Sequence, residues 1–199
     1  GFVGGASYQD HSDRTAGGGE KLVPSAYKSK AADLKLIIDT SERSSLMLSA
    51  QVMEQPSTPR YDELVPGYGQ TEPSAEQFFF APNRRSFIHA RFQLEGQGRL
   101  FDQFDAHAAR QVITDGRLTQ QYQSPIIVTE DNSSTLDGVT LQFNSSLASG
   151  LPLVWGAEYY TDEVDSSRFT QIEGSNDKTD VRSRFPDGST MDSAAIYFS

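Results

Sequence analysis

The sequence predicts an all-β protein, an antiparallel up-and-down transmembrane β-barrel segment of about eight strands. Three observations carry this. Apolar side chains recur at every second position through several segments. The segments so defined are long, about 10–13 residues against a usual 5–6. Short polar turns alternate with long connections rich in Gly, Pro, Ser, Asp and Asn, the asymmetry of barrels with short periplasmic turns and long extracellular loops.

A first strand is expected near Phe2–Asp10. Over residues 28–40, Ala32, Leu34, Leu36 and Ile38 fall on one face, against Asp33, Lys35 and Asp39, with Ile37 as the exception. The polar turn Thr40-Ser41-Glu42-Arg43 leads into Leu46, Leu48, Ala50 and Val52, opposed by Ser45, Met47, Ser49, Gln51 and Met53. The figure repeats with Ile88, Ala90, Phe92 and Leu94, the turn Glu95-Gly96-Gln97-Gly98, then Phe104, Ala106 and Ala108. It repeats again with Val139, Leu141 and Phe143, a turn around Ser145–Gly150, then Leu153, Trp155, Ala157 and Tyr159. A last strand is expected near Ala194–Ser199. Between the hairpins, Gln55 to Arg85, Thr114 to Ser133 and Asp162 to Met191 read as long polar loops, where binding function concentrates.

Composition narrows the classes. The 199 residues carry a net charge of −10, which argues against nucleic acid, whose phosphates need clustered Lys and Arg. Cysteine is absent, so disulfides and thiolate metal sites are excluded. No run of about 18 apolar residues is present, which excludes a membrane helix but not a membrane strand, which needs about 9–11 residues. The mean hydropathy of −0.51 suits a barrel with a polar lumen and equally a soluble chain. The opening Gly1-Phe2-Val3-Gly4 and the close in Ile196-Tyr197-Phe198-Ser199 read as a barrel truncated at both ends. Two other classes share the alternation: a soluble β-sandwich that binds glycans or adheres to a surface, and a passive porin-type or small eight-stranded barrel.

A resemblance sharpens the first reading. The stretch Gln51-Val52-Met53-Glu54-Gln55-Pro56-Ser57-Thr58-Pro59-Arg60-Tyr61-Asp62-Glu63-Leu64 resembles a barrel segment of TonB-dependent outer-membrane receptors. So do Val65-Pro66-Gly67-Tyr68-Gly69-Gln70, Phe78-Phe79-Phe80-Ala81-Pro82-Asn83-Arg84-Arg85, and Asp105–Ile113 with Ala109-Arg110-Gln111-Val112. The likeness covers about residues 25–115, and the remainder matches in rhythm alone. It implies a bacterial outer-membrane location and a wall of a 22-stranded barrel closed by a separate plug. It also implies energy delivered by TonB through the plug, and uptake of a scarce nutrient such as a ferric siderophore, haem, vitamin or glycan.

Within that frame Arg60, Tyr61, Asp62, Tyr68, Phe79, Arg84 and Arg85 are candidate cargo contacts, the rings by stacking and the arginines by pairing with anionic groups. The alternative is structural: Arg60 and Asp62 pair and hold the loop, and the aromatics form an interfacial girdle. His89, Arg91 and His107 are expected on the lumen face, the imidazoles as hydrogen-bonded wall residues or as ligands. Trp155 and Tyr159 are expected on the lipid face, and His11 in an exposed loop. Asp162, Glu163, Asp165, Asp177 and Asp180 read as a solvated acidic loop. No catalytic constellation, cofactor or metal site is expected.

Overall fold

The computed structural model describes residues 1–96, 100–146 and 150–199. The expected all-β, antiparallel class is what it holds. The strands are β1 (Phe2–His11), β2 (Arg14–Thr15), β3 (Lys21–Leu22), β4 (Tyr27–Ser41), β5 (Ser44–Gln55) and β6 (Thr58–Pro59). A single helical turn, α1 (Tyr61–Leu64), precedes β7 (Ala75–Glu95), β8 (Gln103–Gln121), β9 (Ile126–Ser146), β10 (Pro152–Ile172), β11 (Lys178–Asp180) and β12 (Ser189–Phe198). The expected count of about eight therefore becomes twelve among the described residues. Eight strands have ten residues or more, and β2, β3, β6 and β11 are two- or three-residue pieces, β6 and β11 inside segments that read as loops.

Sequence neighbours pair throughout. The main sheet runs β1-β4-β5-β7-β8-β9-β10, with β12 and β11 sharing the far edge of β10 and β6 extending the β5 edge of β7. Only β2 and β3 pair apart from it. Among the described residues β1 and β12 do not meet, so the sheet is open and not a closed barrel. The turn after β4 is Glu42-Arg43, tied by the Ser41 hydroxyl, which accepts from Arg43 N and bonds the Ser44 hydroxyl. The expected turns at Glu95–Gly98 and Ser145–Gly150 lie partly outside the described residues.

The largest correction concerns the loops. Thr114–Ser133 is almost all strand: β8 runs on to Gln121, β9 starts at Ile126, and only Tyr122–Pro125 connects them. β7 begins at Ala75, inside the segment read as loop, and β10 continues to Ile172, taking Asp162, Glu163 and Asp165 into the strand. The physical reason is pairing. Arg117, Thr119, Thr129 and Glu130 lack alternation but sit in an unbroken ladder, where every backbone group is satisfied regardless of side-chain polarity. The 21-residue strands β7, β9 and β10 are about 70 Å long at the usual rise. His11 likewise ends β1, stacked on Tyr27 at 4.6 Å, and is not in a loop.

The register puts the apolar side chains on one face without a break. Ile38 pairs with Leu46, Leu46 with Phe92, Phe92 with Ala106, Ala106 with Leu141, Leu141 with Ala157, and Ala157 with Ile196. At the short-turn end the rings of Phe101, Phe104, Phe143 and Trp155 form a cluster, with Phe143 stacked on Trp155 at 4.1 Å. Trp155 and Tyr159 stand on this face as expected. Toward the other end ion pairs mark its limit: Lys28–Asp10 at 3.1 Å, Lys30–Glu54 at 3.4 Å and Arg110–Asp137 at 3.7 Å. The bond from Lys28 to Asp10 holds the Lys28 ammonium above its ordinary pKa. Between these limits the face is uncharged for nine residues on β5 (Ser44–Val52), β7 (Ser86–Leu94) and β10 (Leu153–Thr161).

Few side chains are buried in this single open sheet. Among the described residues Ala75 is the one buried hydrophobic, whereas Ser25, Asp105, Gln120, Glu130, Asn132 and Ser166 are buried. On the apolar face Leu34, Leu48, Ile88, Val139 and Tyr159 are exposed.

Candidate functional site: the polar face

The face opposite the apolar belt carries a connected set of polar and aromatic groups. Arg91 opposes His107, one register step from Asp105, and donates to the Asp105 carboxylate through Nε at 2.9 Å and Nη2 at 2.6 Å. Gln103 donates to the other carboxylate oxygen at 2.6 Å. Asp105 is 4% exposed, so this pairing removes the main cost of placing its charge there. His89 and His107 share this face, as expected, and their rings stack at 5.3 Å with Nε2 and Nδ1 3.1 Å apart. Phe87 stacks on His89 at 6.1 Å, and Arg85 lies over Phe87 at 5.2 Å. Arg85 also donates to Gln111 at 2.7 Å and Gln51 at 3.3 Å. Each imidazole is engaged with the other, the wall role of the two weighed from sequence.

On β9, β10 and β12 the same face is shaped by glycine. Tyr160 sits directly opposite Gly138, and Tyr197 opposite Gly156. A Cβ on Gly138 would lie 2.5 Å from Cδ1 and Cε1 of Tyr160, and one on Gly156 2.6 Å from Oη of Tyr197. The missing side chains let each ring lie across the neighbouring strand. The hydroxyls are fixed there, Tyr160 to Thr140 at 3.1 Å and Tyr197 to Gln142 at 3.3 Å. Beside the rings, a depression of about 500 Å³ is lined by Phe87, His107, Gln142, Glu158, Tyr160 and Tyr197 among others.

Nearer the end with the longer connections, a second cluster forms. Arg60 lies over the Phe78 ring at 5.0 Å, and Arg117 over Phe78 at 5.7 Å and Phe80 at 5.2 Å. Glu130, side chain 9% exposed, stands 3.9 Å from Arg117 and 3.2 Å from Arg168. The Arg168 Nε–H is not aimed along that 3.2 Å line, so the contact is an ion pair without a hydrogen bond. Asn132 accepts from the Ser166 hydroxyl at 2.6 Å.

The candidates from the sequence do not form one site. Arg60 pairs locally with Asp62 at 3.3 Å and Glu63 at 3.4 Å, and its backbone N–H donates to Phe78 O at 2.9 Å, which fastens the start of α1 to β7. Tyr61 opens α1, and Tyr68 stands fully exposed in the following loop. Alternation sends Phe79 to the face opposite Phe78 and Phe80, beside Leu118. Arg84 and Arg85 fall on opposite faces for the same reason, Arg84 on the belt side between Glu54 and Thr114. Missed from sequence were Arg117, Glu130 and Arg168, because their stretch read as loop. Tyr160, which alternates with Trp155, Ala157 and Tyr159 and so falls on the polar face, could not be joined to Gly138 from sequence, since register alone decides which glycine a ring crosses. No group of three metal-ligating side chains is assembled among the described residues. No family model matches the chain, and no characterised protein or solved structure matches it.

Proposed function

We propose that this chain is a wall segment of a bacterial outer-membrane β-barrel of the TonB-dependent receptor class, serving uptake of a scarce nutrient. The observation that carries the reading is the division between the faces: exposed apolar side chains in a continuous belt, and ionised side chains packed on the other face. A lipid environment offers no water to unpaired backbone groups, so a spanning sheet must be fully paired and apolar outward. The nine-residue lengths over which the belt face carries no charge fit the roughly 9–11 residues of a tilted membrane strand. Aromatics at one limit and ion pairs at the other suit the two interfaces.

The receptor class rests on the sequence likeness over residues 25–115 and on strand height. Strands of 19–21 residues rise well beyond a bilayer, carrying Arg60, Phe78, Arg117 and Glu130 above it. In this reading the polar face meets the lumen and its plug, which receives energy from TonB. The outer connections, with Tyr68 and the segment around α1, meet the cargo.

Single cysteines in the full protein in whole cells test the reading. A membrane-impermeant thiol reagent is expected to reach Gly67→Cys in the long connection and not Glu42→Cys in the short turn. A lipid-phase probe is expected to reach Leu36→Cys. Equal labelling of Gly67→Cys and Glu42→Cys, with no lipid contact at Leu36→Cys, would replace the receptor with a water-soluble β-domain.

A further inference from the structure

We infer that the polar face holds a binding subsite for a small organic cation, formed by Tyr160, Tyr197 and Glu158. Glu158 lies on β10 two residues from both Tyr160 and Gly156, which Tyr197 opposes, and it lines the same depression as the two tyrosines. Among the described residues it has no hydrogen-bond or ion-pair partner, unlike Asp105 and Glu130 on the same face. Arg91, in the same register row but three strands away, is committed to Asp105. The negative charge of Glu158 is thus left to whatever enters the depression of about 500 Å³, a volume suited to a small molecule.

The rings decide the chemistry. Each tyrosine lies across a glycine and is anchored by its hydroxyl, so its position is set before any ligand arrives. An aromatic face carries negative quadrupole density and attracts a cation, most strongly where water is partly excluded. Two rings flanking an unpaired carboxylate therefore favour a cation, above all a bulky alkylammonium that covers both rings while its charge meets Glu158. An anion would be repelled by Glu158, and a neutral ligand would desolvate that carboxylate without replacing its water. The subsite does not depend on what covers the apolar face, so it stands or falls separately from the membrane reading.

Choline titrated calorimetrically into the full protein in detergent tests this. The comparator is choline's uncharged carbon analogue, with a tert-butyl group in place of trimethylammonium. Saturable choline binding is expected, with the neutral analogue about tenfold weaker, the size of one half-screened charge interaction. Glu158→Gln is expected to weaken choline about tenfold and leave the analogue unchanged. Tyr160→Phe, which keeps the ring, is expected to bind choline within about twofold of the parent, and Tyr160→Leu several-fold more weakly. Absence of saturable choline binding, equal binding of choline and the analogue, or unaltered choline affinity in Glu158→Gln would each overturn the inference.

Discussion

Leu48 and Val52 stand on the same strand and the same face, and they are almost equally exposed, 40% and 37%. Replacing each in turn by arginine asks what covers that face. Leu48 is at the middle of the uncharged stretch Ser44–Val52, whereas Val52 is at its end, next to Glu54 and Lys30. Four residues separate them, about 13 Å along the strand. In a bilayer a cation near the midplane costs about 2–4 kcal/mol and near the interface about 0–1 kcal/mol. Leu48→Arg is therefore expected to cost about 2 kcal/mol more than Val52→Arg, which also gains a neighbouring carboxylate. In water the two changes would fall within about 0.5 kcal/mol of each other, the usual range for exposed positions. Urea unfolding of the protein folded into phospholipid vesicles measures the difference. Equal costs would refute the assignment of this face to lipid, however stable the variants proved to be.

Other expectations follow from the polar face. Asp105→Asn removes the negative charge facing Arg91 and turns one of the two acceptor oxygens into a donor, so that at most the bonds to the remaining oxygen survive, while Arg91 keeps partial access to water; a loss of about 2 kcal/mol is expected in the same unfolding assay. Glu130→Gln leaves Arg117 and Arg168 facing each other without their shared anion. A cost of about 2 kcal/mol is expected, and Arg168→Gln in the Glu130→Gln background should return part of it; no recovery would mean that Glu130 acts through packing. Gly138→Ala should displace the Tyr160 ring and its bond to Thr140, costing about 1–2 kcal/mol. In a Tyr160→Ala background the same change should cost close to nothing, and a persistent penalty would show that the ring is not the obstacle.

The parts of the fold legible from sequence were those where apolar side chains recur with period two. The belt residues Leu34, Leu36, Leu46, Leu48, Phe92, Leu141 and Trp155 were placed on their common face, because a strand turns every second side chain to the same side. Above the belt that recurrence lapses. Polar side chains stand on both faces of Thr114–Gln121 and Ile126–Ser133, so composition imitates a loop although the ladder continues. A signal was present all the same: Ile126-Ile127-Val128-Thr129 is a run of strand-favouring residues. The aromatic segment Phe78-Phe79-Phe80 was noticed, but its division between faces depends on the bulge at Ala81-Pro82, where the β7–β8 register shifts. Pairings such as Gly138 with Tyr160 required the register itself, which a single strand's pattern does not carry.

The ladder between β8 and β9 runs unbroken from Gln103 to Gln120. In the proposed setting, one set of backbone hydrogen bonds thus passes from oil into water without a joint. Its amides share geometry but not solvent, so deuterium uptake along one strand becomes a depth gauge. Protection that is deep at Ala106 and Ala108 and fades toward Thr119 would trace the water line across the sheet residue by residue. A fraying tip at Tyr122–Pro125 would then open from above, and the opening would stop where the lipid begins.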